Sequence, residues 1–266
     1  MAMPKTTRPH DLTLVLSGPE ERLQLVLGQP GPDGPLSGMP LLASRQWTVP
    51  GQTVRFLAPG LRGLLDEFGL DVADLARIAC VRGPGSFTGL RLVLAAAEGV
   101  AAGLSLPLAG LDYLPLLAAG PGPLLTGPLH VLTYARRGLV YMQSFRCPDL
   151  AEIAPLDALT LEQAGERMAG FGPDAHLMGS ALRKNPAFFA DLAQANPGYV
   201  PLNAAFDNPA PEILLETAAR ATFAHDSIEP IYVRPSDAEA DLDHIAAQRG
   251  LDPDEARRKL EALRRA

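Results

Sequence analysis

Cysteine is scarce in this chain, with two residues in 266. Cys80 and Cys147 lie far apart in strand-like apolar runs. They read as two buried thiols in a reducing compartment, not as a disulfide framework. Histidine is almost as sparse. His10, His130, His176, His225 and His244 are scattered, with no HxxxH or HExxH pair to seat a metal on one helix face. Zinc or iron peptidase chemistry is therefore disfavoured. Positive charge is also in deficit, at a net −7. A free-standing nucleic-acid binder normally shows a basic face; RNA held jointly with a partner stays open. Residues 1–10 contain no apolar core, so they do not read as a signal peptide. The apolar stretch from Leu92 to Leu108 is interrupted by Glu98 and Pro107 and diluted by glycine, so it does not read as a membrane span.

What is present is an ordinary globular composition, 47% hydrophobic and 20% charged, enough for one large domain or two small lobes. Leu12–Leu16 reads as a strand. Arg22–Leu27 alternates, with Leu23, Leu25 and Leu27 on one face, and reads as a second. The Gly- and Pro-dense segment 28–40 is a loop, and Ser44–Val49 a third strand. Val54, Leu57, Leu61, Leu64, Leu65 and Phe68 recur at helical spacing, with Pro59 as a kink. Ile78–Val81 is a strand, Phe87–Leu104 a helix, and Leu106–Ala109 a strand. Further on, Leu111–Ala118 is predicted helical and 120–128 a linker. His130–Thr133 and Leu139–Phe145 are strands joined through Ala135–Gly138. Leu159–Met168 is predicted helical, His176–Met178 a short strand, and Pro211–Phe223 a helix returning to the first lobe. Asp252-Pro253-Asp254-Glu255 opens a charged tail helix, with a cap, an early Pro and acidic residues at the positive dipole end. No internal repeat is visible.

The most informative segment is Val81-Arg82-Gly83-Pro84-Gly85-Ser86-Phe87-Thr88-Gly89-Leu90-Arg91. An apolar strand enters a Gly/Pro turn, Ser86 and Thr88 offer capping hydroxyls, and a long helix follows. That helix is apolar on nearly all sides, with only Arg91 and Glu98 charged in its body. Such a helix needs burial on more than one face. Ala95, Gly99 and Gly103 form a small-residue stripe that lets another backbone come close. One face belongs on a sheet and another against a second helix, in this chain or another.

This segment resembles the GRGPGSFTGLR block of the TsaB family, the dimerisation subunits of the bacterial tRNA threonylcarbamoyladenosine machinery. Three further blocks follow in the family's order. Leu106–Gly110 resembles the strand after the helix. Ala135-Arg136-Arg137-Gly138-Leu139-Val140-Tyr141 resembles the DARxGEVY hairpin, and the segment from Glu229 to Glu239 resembles the PxYLR(x)PDAE ending. The resemblance implies an α/β, two-lobed, actin-like fold with mixed sheets flanked by helices. The implied division is an N-terminal lobe over 1–110 completed by a helix at about 210–224, a smaller lobe over 111–209, and a tail over 238–266. Family members end the first strand in a DTS or DTA turn, where actin-like folds place a phosphate-facing loop. Here that turn reads Leu16-Ser17-Gly18-Pro19-Glu20, without the Asp. The hairpin's usual Asp is Tyr134, and Gln52 stands where a helix start often carries His.

The resemblance further implies a non-catalytic cytoplasmic subunit with no cofactor or metal of its own. ATP and metal are expected on partner subunits: a TsaD-like catalytic subunit and a TsaE-like ATPase. A homodimer is expected when the chain is alone, tRNA contact only within the complex, and no membrane. The implied contact surface is built from helices 53–68 and 87–104, through Val54, Leu57, Leu61, Ser86, Phe87, Thr88, Gly89, Arg91, Leu94, Ala95, Glu98 and Gly99. An actin-like ATPase or kinase is the alternative. Read from the residues alone, Gly83–Thr88 is a phosphate cradle or a close-packed turn. It lacks the Walker lysine and spacing, and the turn is the better reading. Ser86 as a nucleophile fails because the GxSxG elbow's first glycine is Pro84. Arg91 and Glu98 are either an internal or solvated pair, or an orienting contact across a dimer. Arg136 and Arg137 are an exposed turn or an RNA contact.

Overall fold

The computed structural model describes residues 11–29 and 39–233, and the single positions 246, 252, 255 and 258. The middle of the 28–40 loop, the end of the Glu229–Glu239 block and most of the predicted tail helix lie outside the described residues. The chain divides into Met1–Ile231 and Tyr232–Ala266, and the fold resides in the first unit.

In chain order the elements are β1 (Leu12–Ser17), β2 (Arg22–Gly28), β3 (Leu41–Thr48), α1 (Thr53–Asp66), β4 (Leu75–Gly83), α2 (Phe87–Leu104), β5 (Leu108–Asp112) and α3 (Tyr113–Ala119). There follow β6 (Gly127–Arg136), β7 (Leu139–Cys147), β8 (Ala151–Thr160), α4 (Leu161–Ala169), β9 (Ala175–Met178), α5 (Ser180–Lys184), α6 (Pro186–Ala195), β10 (Tyr199–Pro201) and α7 (Pro211–Arg220).

The strands form two five-stranded mixed sheets, ordered β3-β2-β1-β4-β5 and β10-β9-β6-β7-β8. In the first, β1 pairs antiparallel with β2, β2 with β3, and β4 and β5 add in parallel. In the second, β6 pairs antiparallel with β7, β7 with β8, and β9 and β10 add in parallel. Each half therefore runs through the same path: an antiparallel meander, then two parallel strands laid on its first strand. The residues show no repeat, yet the topology is duplicated. Two such sheets flanked by helices are the actin-like class expected from the resemblance.

The strand faces explain the layering. Leu12, Leu14 and Leu16 of β1, with Ile78 and Cys80 of β4, pack with Leu57 and Leu64 of α1 and Leu90, Val93 and Ala97 of α2. Val15, Ala79 and Val81 point the other way, into a central core with Tyr113, Leu114 and Leu117 of α3 and Leu214, Leu215 and Ala218 of α7. Val131, Phe145 and Met178 of the second sheet reach that same core. The second sheet's far face carries Leu132, Val140 and Met142 against α4, α5 and α6. The chain is thus three apolar layers separated by two sheets, with α3 wedged between the sheets. Both faces of β2 are covered. The alternating reading of Leu23, Leu25 and Leu27 holds, but Val26 on the opposite face is buried as well. Gln24 is tolerated there because its Nε2 donates to the Pro209 carbonyl at 2.9 Å.

Several predicted elements need correction. The 120–128 linker holds a 3₁₀ turn at Gly122–Leu124, and β6 already begins at Gly127. Leu111 and Asp112 extend β5 and do not start a helix. Leu159 and Thr160 end β8; Thr160 caps α4, its hydroxyl accepting from the Gln163 N–H. Strand β8 was not legible because Pro155 and Asp157 interrupt its apolar pattern, which an edge strand tolerates. Helices α5 and α6 and strand β10 are short, and each falls below the length at which periodicity is readable.

Leu64 is fully buried where α1 meets the sheet. Leu64→Ala should lower unfolding stability by about 2–5 kcal/mol. Urea denaturation followed by circular dichroism checks this; a loss below about 1 kcal/mol would mean that α1 is not seated on this core.

Candidate functional site

The turn between β4 and α2 sets the position of everything around it. The Ser86 N–H donates to the Pro19 carbonyl at 2.6 Å. A Cβ at Gly85 would run into that same Pro19 carbonyl, and one at Gly89 would lie 2.7 Å from the Gly18 oxygen. Two backbones meet here at a distance that only glycine allows. Ser86 then caps α2, its hydroxyl accepting from the Gly89 N–H at 3.4 Å. The close-packed reading of Gly83–Thr88 fits this geometry. The Ser86 amide that an anion cradle would use is already bonded within the chain.

Helix α2 is the crossover between the parallel strands β4 and β5. It turns Gly89, Leu90, Val93, Leu94, Ala97 and Ala101 inward. Among the described residues it is the one helix long and apolar enough to cross a membrane, but that apolar character is divided between two opposite faces. The outer face carries Phe87, Arg91, Ala95, Gly99 and Gly103, all exposed and spaced by four. Arg91 lies flat over Phe87, its guanidinium carbon 3.5 Å from the ring centroid. A Cβ at Gly99 or Gly103 would find no atom of the described residues within 4 Å. Beside this stripe, α1 packs against α2 and exposes Val54, Arg55, Ala58, Pro59 and Arg62. Val54 is 66% exposed and Phe87 39%.

The twelve residues singled out from sequence divide in three ways. Val54, Ser86, Phe87, Thr88, Arg91, Ala95 and Gly99 are exposed on this face. Leu57, Gly89 and Leu94 are buried in their own lobe, and Leu61 is half-buried. Glu98 turns inward, where its carboxylate accepts from the Ile228 N–H at 3.2 Å. It thereby fastens the segment after α7, which also pairs Ala224 with Leu108 and bonds the Ile231 N–H to the Arg82 carbonyl. Arg91 and Glu98 are thus not partners of each other. The sequence reading took Gly103 into the small-residue stripe but omitted it from the contact residues. Ala58 and Pro59, which were not among the twelve, are exposed as well.

A second polar cluster lies between the two sheets, around the turn that lacks the family's Asp. Glu20, in the β1–β2 turn, accepts the hydroxyl of Ser180, the first residue of α5, on one carboxylate oxygen. Tyr113, the first residue of α3, donates to the other at 2.8 Å. Ser180 Oγ in turn accepts the Tyr134 N–H at 2.9 Å. Alongside, Lys184 pairs with Glu21 at 2.6 Å and Arg183 with Asp207 at 3.2 Å. Burial pushes the Glu20 carboxyl up to about 7; the Ser180 and Tyr113 bonds oppose this, and Asp207 and Glu21 add to it. Sequence reading registered Glu20 only as part of an altered turn, because its partners lie 93 and 160 residues away.

Elsewhere the chemistry is structural. His130 is fully buried, its Nδ1 2.8 Å from Ser144 Oγ, and burial lowers its imidazole to about 4. Cys80 and Cys147 are free and buried. Among the described residues, no three His, Cys, Asp or Glu side chains are grouped to hold a metal ion. Arg136 and Arg137 are exposed at the β6–β7 turn.

The two kinds of glycine predict opposite responses. Gly85→Ala should destabilise by about 1–3 kcal/mol through the backbone collision. Gly99→Ala should leave the isolated chain about 0.5–1 kcal/mol more stable, because it removes helix-interior glycine without a clash. Urea midpoints of the two variants decide this; equal effects would refute the assigned packing of the turn.

Three comparisons bear on this architecture. The family model described as TsaD, tRNA N6-adenosine threonylcarbamoyltransferase, matches residues 51–154. The tRNA threonylcarbamoyladenosine biosynthesis protein TsaB of Bacillus subtilis (strain 168) is 27% identical over 186 residues, covering 68% of this chain and 80% of that protein. TsaB of Escherichia coli (strain K12) is 33% identical over 99 residues, covering 36% of this chain; the match spans only 42% of that protein's length. Among solved structures, a Pseudomonas aeruginosa protein with similarity to peptidase YeaZ superposes with a TM-score of 0.65 at 24% identity, over 84% of this chain and 100% of that one. YeaZ from Pseudomonas aeruginosa gives 0.58 at 21% identity, over 84% and 99%. The structural likeness establishes the fold. The two sequence relatives and the shared blocks make this chain similar in sequence to TsaB proteins over part of its length.

Proposed function

We propose that this chain is a non-catalytic dimerisation subunit in the biosynthesis of tRNA threonylcarbamoyladenosine, acting in the cytoplasm. It pairs with a TsaD-like catalytic subunit through the outer face of α1 and α2. A TsaE-like ATPase joins that pair, ATP and metal reside on the partners, and tRNA meets this chain only within the complex. Without its partner the chain closes the same face against a second copy.

The observation that carries this reading is the exposed stripe Phe87-Arg91-Ala95-Gly99-Gly103. A long helix that keeps an apolar, small-residue face in water is suited to receive another helix at close range. Two helices from each side would bury roughly 1,000–2,000 Å², the range of a stable interface. The TsaD match over 51–154 covers α1, α2 and the start of the second sheet. It favours an active-site reading as the second possibility, an actin-like ATPase or kinase. Against that stands the first-strand turn. It offers Ser17, Gly18 and Pro19 in place of an acidic metal–phosphate residue, and its two acids are engaged, Glu20 with Ser180 and Tyr113 and Glu21 with Lys184.

Mixing the chain with the TsaD-like protein of the same genome should give a one-to-one complex by light scattering on a sizing column. Ala95→Trp and Gly99→Trp should each abolish that complex, with unchanged far-ultraviolet circular dichroism, because an indole cannot fit a small-residue seam. Complex formation retained in both variants would move the interface elsewhere. Tight, magnesium-dependent ATP binding by the isolated chain would instead support the enzyme reading.

A further inference from the structure

Polar groups buried between the two sheets mostly find partners inside the chain. Thr13 Oγ1 accepts from Arg77 Nε at 2.8 Å, and Gln24 Nε2 donates to the Pro209 carbonyl at 2.9 Å. The pairing fails at the end of the layer where α5 meets the β1–β2 turn. Among the described residues, five buried side-chain atoms have no hydrogen-bond partner in the protein. Two are ring nitrogens, of His130 on β6 and His176 on β9. The other three are Ser17 Oγ, Thr133 Oγ1 and Asp207 Oδ1, on residues 1%, 1% and 8% exposed. A buried oxygen without a partner costs stability, so three at one end of one layer call for a cause.

The duplicated fold puts Ser17 and Thr133 in the same place in each half. Each lies two residues beyond a valine of the central core, Val15 on β1 and Val131 on β6. Side chains alternate along a strand, so both hydroxyls face the layer between the sheets. The segment 207–209 bridges the two strand ends. On the first lobe, Gln24, the register partner of Ser17, holds the Pro209 carbonyl. On the second, the Asp207 carboxylate takes Arg183 on Oδ2 at 3.2 Å and faces the Gly179 N–H. A Cβ at Gly179 would lie 2.2 Å from the Leu132 oxygen, and the Tyr134 N–H donates to Ser180 Oγ at 2.9 Å. Thr133, between Leu132 and Tyr134, therefore lies beside the start of α5 and the carboxylate held there.

We propose that Ser17, Thr133 and Asp207 form a binding site for a water molecule shared by the two lobes, apart from the docking face. No direct bond joins the three oxygens, although a hydroxyl rotates to meet any partner in reach. They stand at the separation that a bridging molecule spans. The chemistry selects water. An anion would meet the Asp207 carboxylate, while the nearby cations Arg183 and Lys184 are engaged with Asp207 and Glu21. A metal ion would meet a carboxylate already neutralised by a guanidinium. Water donates one proton to Asp207 Oδ1 and the other to one hydroxyl, and accepts from the second hydroxyl. That makes about three bonds, the usual number for a buried water. The two sheets are then joined at this end through an exchangeable molecule.

Thr133→Val removes one hydroxyl with little change of shape, and Ser17→Ala removes the other. Each should lower the folding equilibrium constant of the full chain about fivefold in urea denaturation. The double variant should lose little more than either single one, because the first change already releases the water. Oxygen-17 magnetic relaxation dispersion, which counts waters held inside a protein, should find fewer in the double variant than in the native chain. An undiminished count overturns the site, whatever the stabilities do. So does a Thr133→Val chain more stable than the native one, the response of a hydroxyl buried with no partner at all. Losses that multiply in the double variant also overturn it, since they would place the hydroxyls at separate sites.

Discussion

The contact on which the rest of the structure depends is the meeting of two backbones, Gly18-Pro19 from the first strand turn and Gly85–Gly89 from the start of α2. A Cβ at Gly85 or Gly89 would collide with the Pro19 or Gly18 carbonyl and force them apart. Because they touch, the first turn of α2 is fixed against the end of β1, and its register over β4 follows. With that register set, Leu90, Val93, Leu94 and Ala97 fall on the sheet. Phe87, Arg91, Ala95, Gly99 and Gly103 are left on the outside. The same contact orients the β1–β2 turn, so that Glu20 leaves it toward α3 and α5. The exposed stripe and the Glu20 cluster are thus two consequences of one close approach.

The duplicated strand order gives this arrangement its frame. A meander followed by two parallel additions leaves both faces of its central strands to be covered, so each half needs helices on two sides. The halves economise by sharing one layer. Val15, Ala79 and Val81 from one sheet and Val131 and Met178 from the other bury against the same α3. Tyr113, at the start of that shared helix, is fully buried except through its bonds to Glu20 and Asp207. The central layer is apolar through most of its depth and polar at the end where the turn and α5 meet.

Much of the first half was legible in the sequence, and the reasons are physical. The β4–turn–α2 segment combines a β-branched strand, a Gly/Pro turn, a capping serine and a long apolar helix, and each of these signals is local. The inward leucines of β1 and β2 show their period. The second half was less legible because its signals are not local. Strand β8 is an edge strand with Pro155 and Asp157 in its middle, stabilised by pairing to β7 and not by its own pattern. Helix α5 is five residues long and is read only from its place after Gly179. At the candidate sites the same rule holds. The exposed stripe was visible as spacing within one helix, whereas Glu20, Tyr113, Ser180 and Asp207 are joined only by folding. Glu98 shows the opposite error: on a helical wheel it belongs beside Arg91, but a backbone N–H 130 residues away claims it.

What remains is why a protein would keep Gly99 and Gly103 inside an exposed helix. Each lowers helix stability by roughly 0.5–1 kcal/mol relative to alanine, and neither is needed for contact among the described residues, since a Cβ at either would touch none of them. The glycines at the β4–α2 turn are explained by their own fold; these two are not. Their cost is recovered only if something approaches closer than a methyl group permits. The charge pattern agrees. Glu98 is drawn inward, and Arg91 lies flat on Phe87. Among the described residues the stripe itself carries no carboxylate, and Arg55 and Arg62 of α1 are exposed beside it. A partner helix with small residues at its own centre and acidic residues at its margin matches that surface. Arg62 is itself paired with Asp66 at 3.7 Å, which leaves Arg55 as the cation of that edge with no ion pair among the described residues. If this face is the contact surface proposed above, its charge pattern favours an unlike partner over a second copy.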